Sequence, residues 1–105
     1  MADRLAFSIE RFADLVGYLA SDDEEQEVIY TFLYRDEIHD ALSRGASLTE
    51  DQSARLLTAD NQVMKLRELL VKRFPRVFSQ EVSPECWWWR LSEGAQVREQ
   101  AQKVA

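Results

Sequence analysis

At 105 residues the chain has room for one hydrophobic core of ordinary size, and 46% apolar with 30% charged residues is a globular rather than a disordered composition. A net charge of −6 disfavours nonspecific binding to nucleic acid, and the lone Cys86 leaves no intrachain disulfide and no cysteine-rich zinc site. Asp3, Arg4, Glu10, Arg11 and Asp14 interrupt every apolar run near the start, so no membrane partner is expected and the expected setting is cytoplasmic.

The charge is unevenly placed: residues 1 to 54 hold 13 acids and 4 bases, residues 55 to 105 hold 6 acids and 9 bases. The two halves therefore attract each other, within one chain or between two.

The first predicted element is a helix on which Leu5, Ile9, Phe12, Val16 and Leu19 recur at steps of three and four, with Asp3 as its N-cap and Glu10, Arg11 and Asp14 on the wet side. Gly17 lies in it and suggests the close approach of a neighbouring helix. Ser21 is a candidate cap for a second helix, whose acidic start at Asp22, Asp23, Glu24 and Glu25 suits the positive end of the helix dipole. That helix runs to about Arg44 and stops at Gly45.

Residues 28 to 34, Val-Ile-Tyr-Thr-Phe-Leu-Tyr, also have strand propensity. A strand with no partner run nearby is unstable, so helix is preferred, and its apolar residues then point all around the axis and need cover on several sides.

Thr49 and Gln52 have capping-box spacing and open a third helix over residues 50 to 74, with Leu56, Ala59, Val63, Leu66 and Leu70 as its apolar stripe, widened by Leu57 and Leu69. Pro75 ends it. Ser83 and Pro84 form a second helix-start signal before Trp87, Trp88 and Trp89, and Val97, Ala101 and Val104 suggest a weak final helix. The expected fold is all-α: a single helical domain over 1–105, a small antiparallel bundle of three main helices plus a short C-terminal helical segment. A helical core spans 1–78 and a tryptophan-containing segment 79–105.

Three adjacent tryptophans point in different directions on a helix or a strand, so one flat core face cannot take them all and at least one ring is expected to be partly exposed or to bury into something else. Trp87, Trp88, Trp89, Phe78, Tyr30 and Tyr34 are accordingly the candidate partner-binding residues. Lys65, Lys72, Arg73 and Arg76 concentrate positive charge late in the third helix, where they suit its C-terminal dipole and offer contacts to an anion or acidic partner.

Glu24, Glu27, Glu37 and Asp40 read E-x-x-E followed by E-x-x-D, a pattern that resembles the magnesium-binding motif of the all-α nucleoside triphosphate pyrophosphohydrolases. The resemblance covers these four residues and implies a small metal-dependent hydrolase. In that family the pairs lie on facing helices, whereas here both fall on one predicted helix, about 20 Å apart along its axis and turned by about 220°. A helix break at residues 34 to 36 is needed to bring them together. His39, the sole histidine, with Asp36 or Cys86, forms at most half of a metal or nucleophile arrangement.

No catalytic residue, metal ligand, cofactor or small-molecule substrate is therefore assigned. The expected function is non-catalytic: a protein–protein interaction, adaptor or regulatory protein using an exposed aromatic surface, binding a second copy of itself and another protein. A hydrolase and a nucleic-acid-associated factor stand as alternatives.

Overall fold

A computed structural model describes residues 3 to 104. Helix α1 spans Arg4–Val16, α2 Glu25–Ser43, α3 Glu50–Lys65, α4 Arg67–Arg73 and α5 Val97–Val104, and the described residues contain no strand. Short 3₁₀ turns lie at Leu19–Ser21, Trp87–Trp89 and Leu91–Glu93. The all-α expectation holds, as does the helical state of residues 28 to 34. No helix among the described residues is long and apolar enough to cross a membrane.

Local chemistry explains most of the boundaries. The Asp3 carboxylate accepts the Ala6 amide at 3.2 Å and opens α1. Thr49 and Gln52 close the reciprocal capping box at the start of α3, with distances of 3.1 and 3.0 Å. Beyond α2, Gly45 takes φ +99°, its amide reaches the Leu42 carbonyl, and the Ala46 amide reaches that of Ala41. That is the paired bonding of a glycine-terminated helix, in a backbone conformation that residues with a Cβ resist.

Four local expectations are corrected. Gly17 is exposed at the end of α1 and no neighbouring helix approaches it, since a Cβ there would meet only the Asp14 carbonyl. Ser21 donates back to the Tyr18 carbonyl, so α2 begins at Glu24 without a side-chain cap and its first turn relies on Glu25 and Glu27 at the dipole. The third helix is interrupted at Leu66, whose φ of −91° and ψ of 2° break the regular geometry. This bend lets α4 lean onto the 3₁₀ turns at residues 19 to 21 and 91 to 93, where Arg67 donates to the Leu91 carbonyl and Arg73 to that of Ala20. Leu57 and Leu69 point outward and do not widen the buried stripe.

Residue pairs fix the topology. Arg4 and Phe7 meet Glu37 and Tyr34, while Phe12 meets Phe32, so α1 and α2 are antiparallel. α1 also packs on α3, and Arg35 of α2 reaches Asp60 of α3. The chain after Phe74 does not form a separate layer. It wraps across α2 and adds Val77, Phe78, Trp87, Trp88, Trp89, Leu91, Val97 and Ala101 to the same apolar cluster as Ile9, Phe12 and Phe32. Of the final apolar set, Val97 and Ala101 are buried, and the side chain of Val104 lies outside the described ones. Segments 1–78 and 79–105 thus share one core among the described residues.

Candidate interaction groove

The tryptophans are not where a docking surface would need them. Trp87, Trp88 and Trp89 are 4%, 1% and 6% exposed and Phe78 is fully buried, so of the two expectations for the cluster, an exposed ring or a ring buried elsewhere, the exposed ring fails. The reason is the irregular backbone. Ser83 and Pro84 start a turn, not an α-helix, and the 3₁₀ turn that follows is wrapped by the chain on both sides, so rings pointing in different directions all meet protein.

Asp36 organises this arrangement. One of its carboxylate oxygens accepts both the Trp88 and the Trp89 indole N–H, each at 2.8 Å. Beneath it, Phe32 sits edge-on to Phe12 and Phe78, and Trp89 tilts against it. The Trp88 face covers the Arg35 guanidinium at 4.4 Å, which forks onto Asp60 at 3.0 and 3.1 Å. Arg35 and Asp60 are both buried, and no fully buried polar side-chain atom among the described residues is left without a partner, which is what a buried ion pair requires.

A polar hollow of about 360 Å³ opens beside these residues, lined by Arg35, His39, Asp60, Glu85, Trp87, Trp88 and Arg98. Its polar groups already have partners: His39 Nε2 faces Glu85 at 3.7 Å, and Arg98 donates to Asn61 and lies over the Trp87 ring. Burial pushes the Cys86 thiol up from its ordinary range, and the carboxylates of Asp36 and Glu85 push it further, so it stays protonated and weakly nucleophilic. The hollow reads as a seam between α2 and the wrapped segment.

The four carboxylates of the pyrophosphohydrolase-like pattern do not converge. α2 runs unbroken through residues 34 to 36, and no group of three potential ligands comes together among the described residues. Glu37 is occupied by Arg4 and Ser8, both at 2.8 Å, and the Arg4 hydrogen bond holds its carboxyl below the usual range. Lys65, Lys72 and Arg76 are exposed, but Arg73 is tied down by the Ala20 carbonyl and by Asp23 at 3.6 Å. That contact, with Arg55 near Glu10 at 3.6 Å, is where the two oppositely charged halves meet within the chain.

The unsatisfied aromatic surface lies elsewhere, on the outer side of α1 and α2. A cleft of about 550 Å³ there is lined by Arg11, Leu15, Tyr18, Asp22, Glu27, Tyr30 and Tyr34, and so collects all three tyrosines of the sequence. Tyr18 is 64% and Tyr30 53% exposed, and Phe7 and Leu33 are also open to solvent. Phe7 packs edge-on to Tyr34 with ring centres 6.1 Å apart, and Arg11 lies over the Tyr34 ring.

Helical spacing builds both walls: Phe7, Arg11 and Tyr18 recur along and just beyond α1, and Glu27, Tyr30 and Tyr34 along α2. Tyr30 and Tyr34 are thus brought together, while Trp87, Trp88, Trp89 and Phe78 are withdrawn into the core. Phe7, Leu15 and Tyr18 escaped sequence reasoning, although the second stripe on α1 was legible as a period beside the stronger buried one, and Asp22 and Glu27 stood out only for the helix dipole and the E-x-x-E pattern.

The Asp22 and Glu27 carboxyls both line one end of the cleft. Partial burial raises Asp22, with Asp23 adding to it, and loss of solvent raises Glu27, with the charges of Asp22 and Glu24 adding to it. The chain matches no protein family model, and no curated protein or solved structure is significantly similar to it.

Proposed function

We propose that this chain is a non-catalytic protein-interaction module that docks a partner in the α1/α2 groove. One contrast carries the reading. The chain covers all three of its tryptophans, yet leaves its three tyrosines together in one open cleft beside Phe7 and Leu33. Tyrosine gives rigid contact area with a polar tip that tolerates water between encounters, which is why it is enriched at the centres of interfaces. Contiguous exposed apolar side chains on a small domain mark an interaction site more often than isolated ones do.

Burial of the tryptophan cluster removes the original reason for requiring a second subunit, because the chain itself supplies the cover. Docking does not need one.

The test compares opposite faces. Tyr30→Asp should abolish capture of a specific partner from the native host while leaving the circular dichroism spectrum unchanged, and Leu57→Asp, on the outer face of α3, should retain it. Equal capture by both variants places the interaction outside this groove and ends the proposal.

A further inference from the structure

The groove has a chemical polarity as well as a shape. Its floor is Leu15, Tyr18 and Tyr30, and its acidic end is the Asp22 and Glu27 pair, backed by Asp23, Glu24 and Glu25 on the same turn. Of the cations near it, Arg11 lies over Tyr34, and Arg73, held by the Ala20 carbonyl and facing Asp23, is a partial counter-charge that lowers Asp22 without offsetting the burial that raises it. Two carboxyls lining one end of the same cleft, Asp22 half-buried and Glu27 exposed, favour a positive charge placed between them, since it relieves their repulsion and gains charge-assisted hydrogen bonds.

The walls are helices and no strand edge exists among the described residues, so recognition must run through side chains instead of main-chain pairing. The cleft follows α2 from Glu27 to Tyr34, about 10 Å of helix, which takes about two turns of an entering helix.

We infer that the α1/α2 groove takes a cation-bearing amphipathic helix of another protein, with its apolar residues on Tyr18 and Tyr30 and a lysine or arginine between Asp22 and Glu27. The inference rests on the groove being the interaction site. A second copy of this chain fits less well, because it brings a net charge of −6 and, among its exposed cations Lys65, Lys72 and Arg76, offers only Leu69 as an open apolar neighbour on α4.

Titration calorimetry with a synthetic Leu/Lys amphipathic helix, its Leu/Glu counterpart and a Ser/Lys peptide of equal charge separates the possibilities. The Leu/Lys helix should bind. Its affinity should fall about tenfold in Asp22→Asn/Glu27→Gln and in Tyr30→Ala, but by less than about twofold in Glu50→Gln/Glu99→Gln, which removes the same charge elsewhere. Equal weakening by both charge-neutralising pairs means general attraction to an acidic protein and overturns the inference. So does equal binding of the Ser/Lys peptide. If the Leu/Glu helix binds as well and Tyr30→Ala still weakens it, the cation preference is wrong while the groove reading survives. A concentration-dependent dimer that Tyr30→Asp and Lys72→Glu each dissolve makes the occupant a second copy, which also overturns the inference.

Discussion

Two regions of this molecule are rich in aromatic rings, and they are treated in opposite ways. At Trp87–Trp89 three large rings lie wholly inside, the indole donors of Trp88 and Trp89 are matched by Asp36, and the rings pack on Arg35, Phe32 and each other. Along α1 and α2, Tyr18, Tyr30 and Phe7 stand exposed beside a half-buried Tyr34, with two carboxyls at the end of the cleft. The lesson is that ring count does not distinguish core from interface. What distinguishes them is whether the rest of the chain brings polar partners and a cover to the ring.

The contrast is most easily broken by truncation. Trp88→Ala should lose about 3 to 5 kcal/mol in urea unfolding, because a fully buried large ring leaves a cavity and uncovers Arg35. Retention of full stability would mean that the ring serves a surface. Asp36→Leu should lose about 2 to 4 kcal/mol, since two buried indole donors lose their acceptor together. Asp36→Asn keeps a carbonyl acceptor and should lose less, so equal losses from the two substitutions would remove Asp36 from its organising role.

Tyr30→Ala and Leu33→Ser should change stability by no more than about 0.5 kcal/mol, as befits exposed positions. A loss comparable to that of Trp88→Ala would show the tyrosine face to be structural.

The smallest effect sharpens the electrostatic side of the comparison. Glu37 is depressed by its hydrogen bond to Arg4, so its contribution is present above the ordinary carboxylate value of 4.5 and is lost as pH falls through its lower folded value. Asp22 and Glu27 are raised, chiefly by loss of solvent, so their contribution is present below their ordinary values of 3.8 and 4.5 and is lost as pH rises through the raised ones. Glu37→Gln should therefore lower the melting temperature at neutral pH and Glu27→Gln should raise it slightly, with each effect vanishing once the pH is below both the folded and the ordinary value of its carboxyl. Shifts of the same sign would contradict the assignment of the groove acids as mutually repelling.

Much of the fold was legible in the residues. The apolar period of α1, the Asp3 cap, the Thr49–Gln52 box and the Gly45 stop are local devices, each closed by atoms within a few positions along the chain. The helical state of residues 28 to 34 followed from the lack of a partner strand. The bend at Leu66 was not legible, because its cause lies in the packing of α4 against the turns near Leu19 and Leu91. The groove was legible only in part. Tyr30 and Tyr34 could be singled out, but their opposite wall belongs to α1, and only antiparallel packing brings Arg11 and Tyr18 to them.

The residues alone determined that this chain is helical, where most helices begin and end, and that it carries more aromatic surface than one flat face can hide. Only the tertiary structure decided which aromatics are hidden. Asp36 on α2 meets indoles more than fifty positions further along, and a wrapped irregular segment covers rings that no regular helix could bury together. Periodicity records which way a side chain points from its own element, whereas burial depends on what distant segment arrives to meet it.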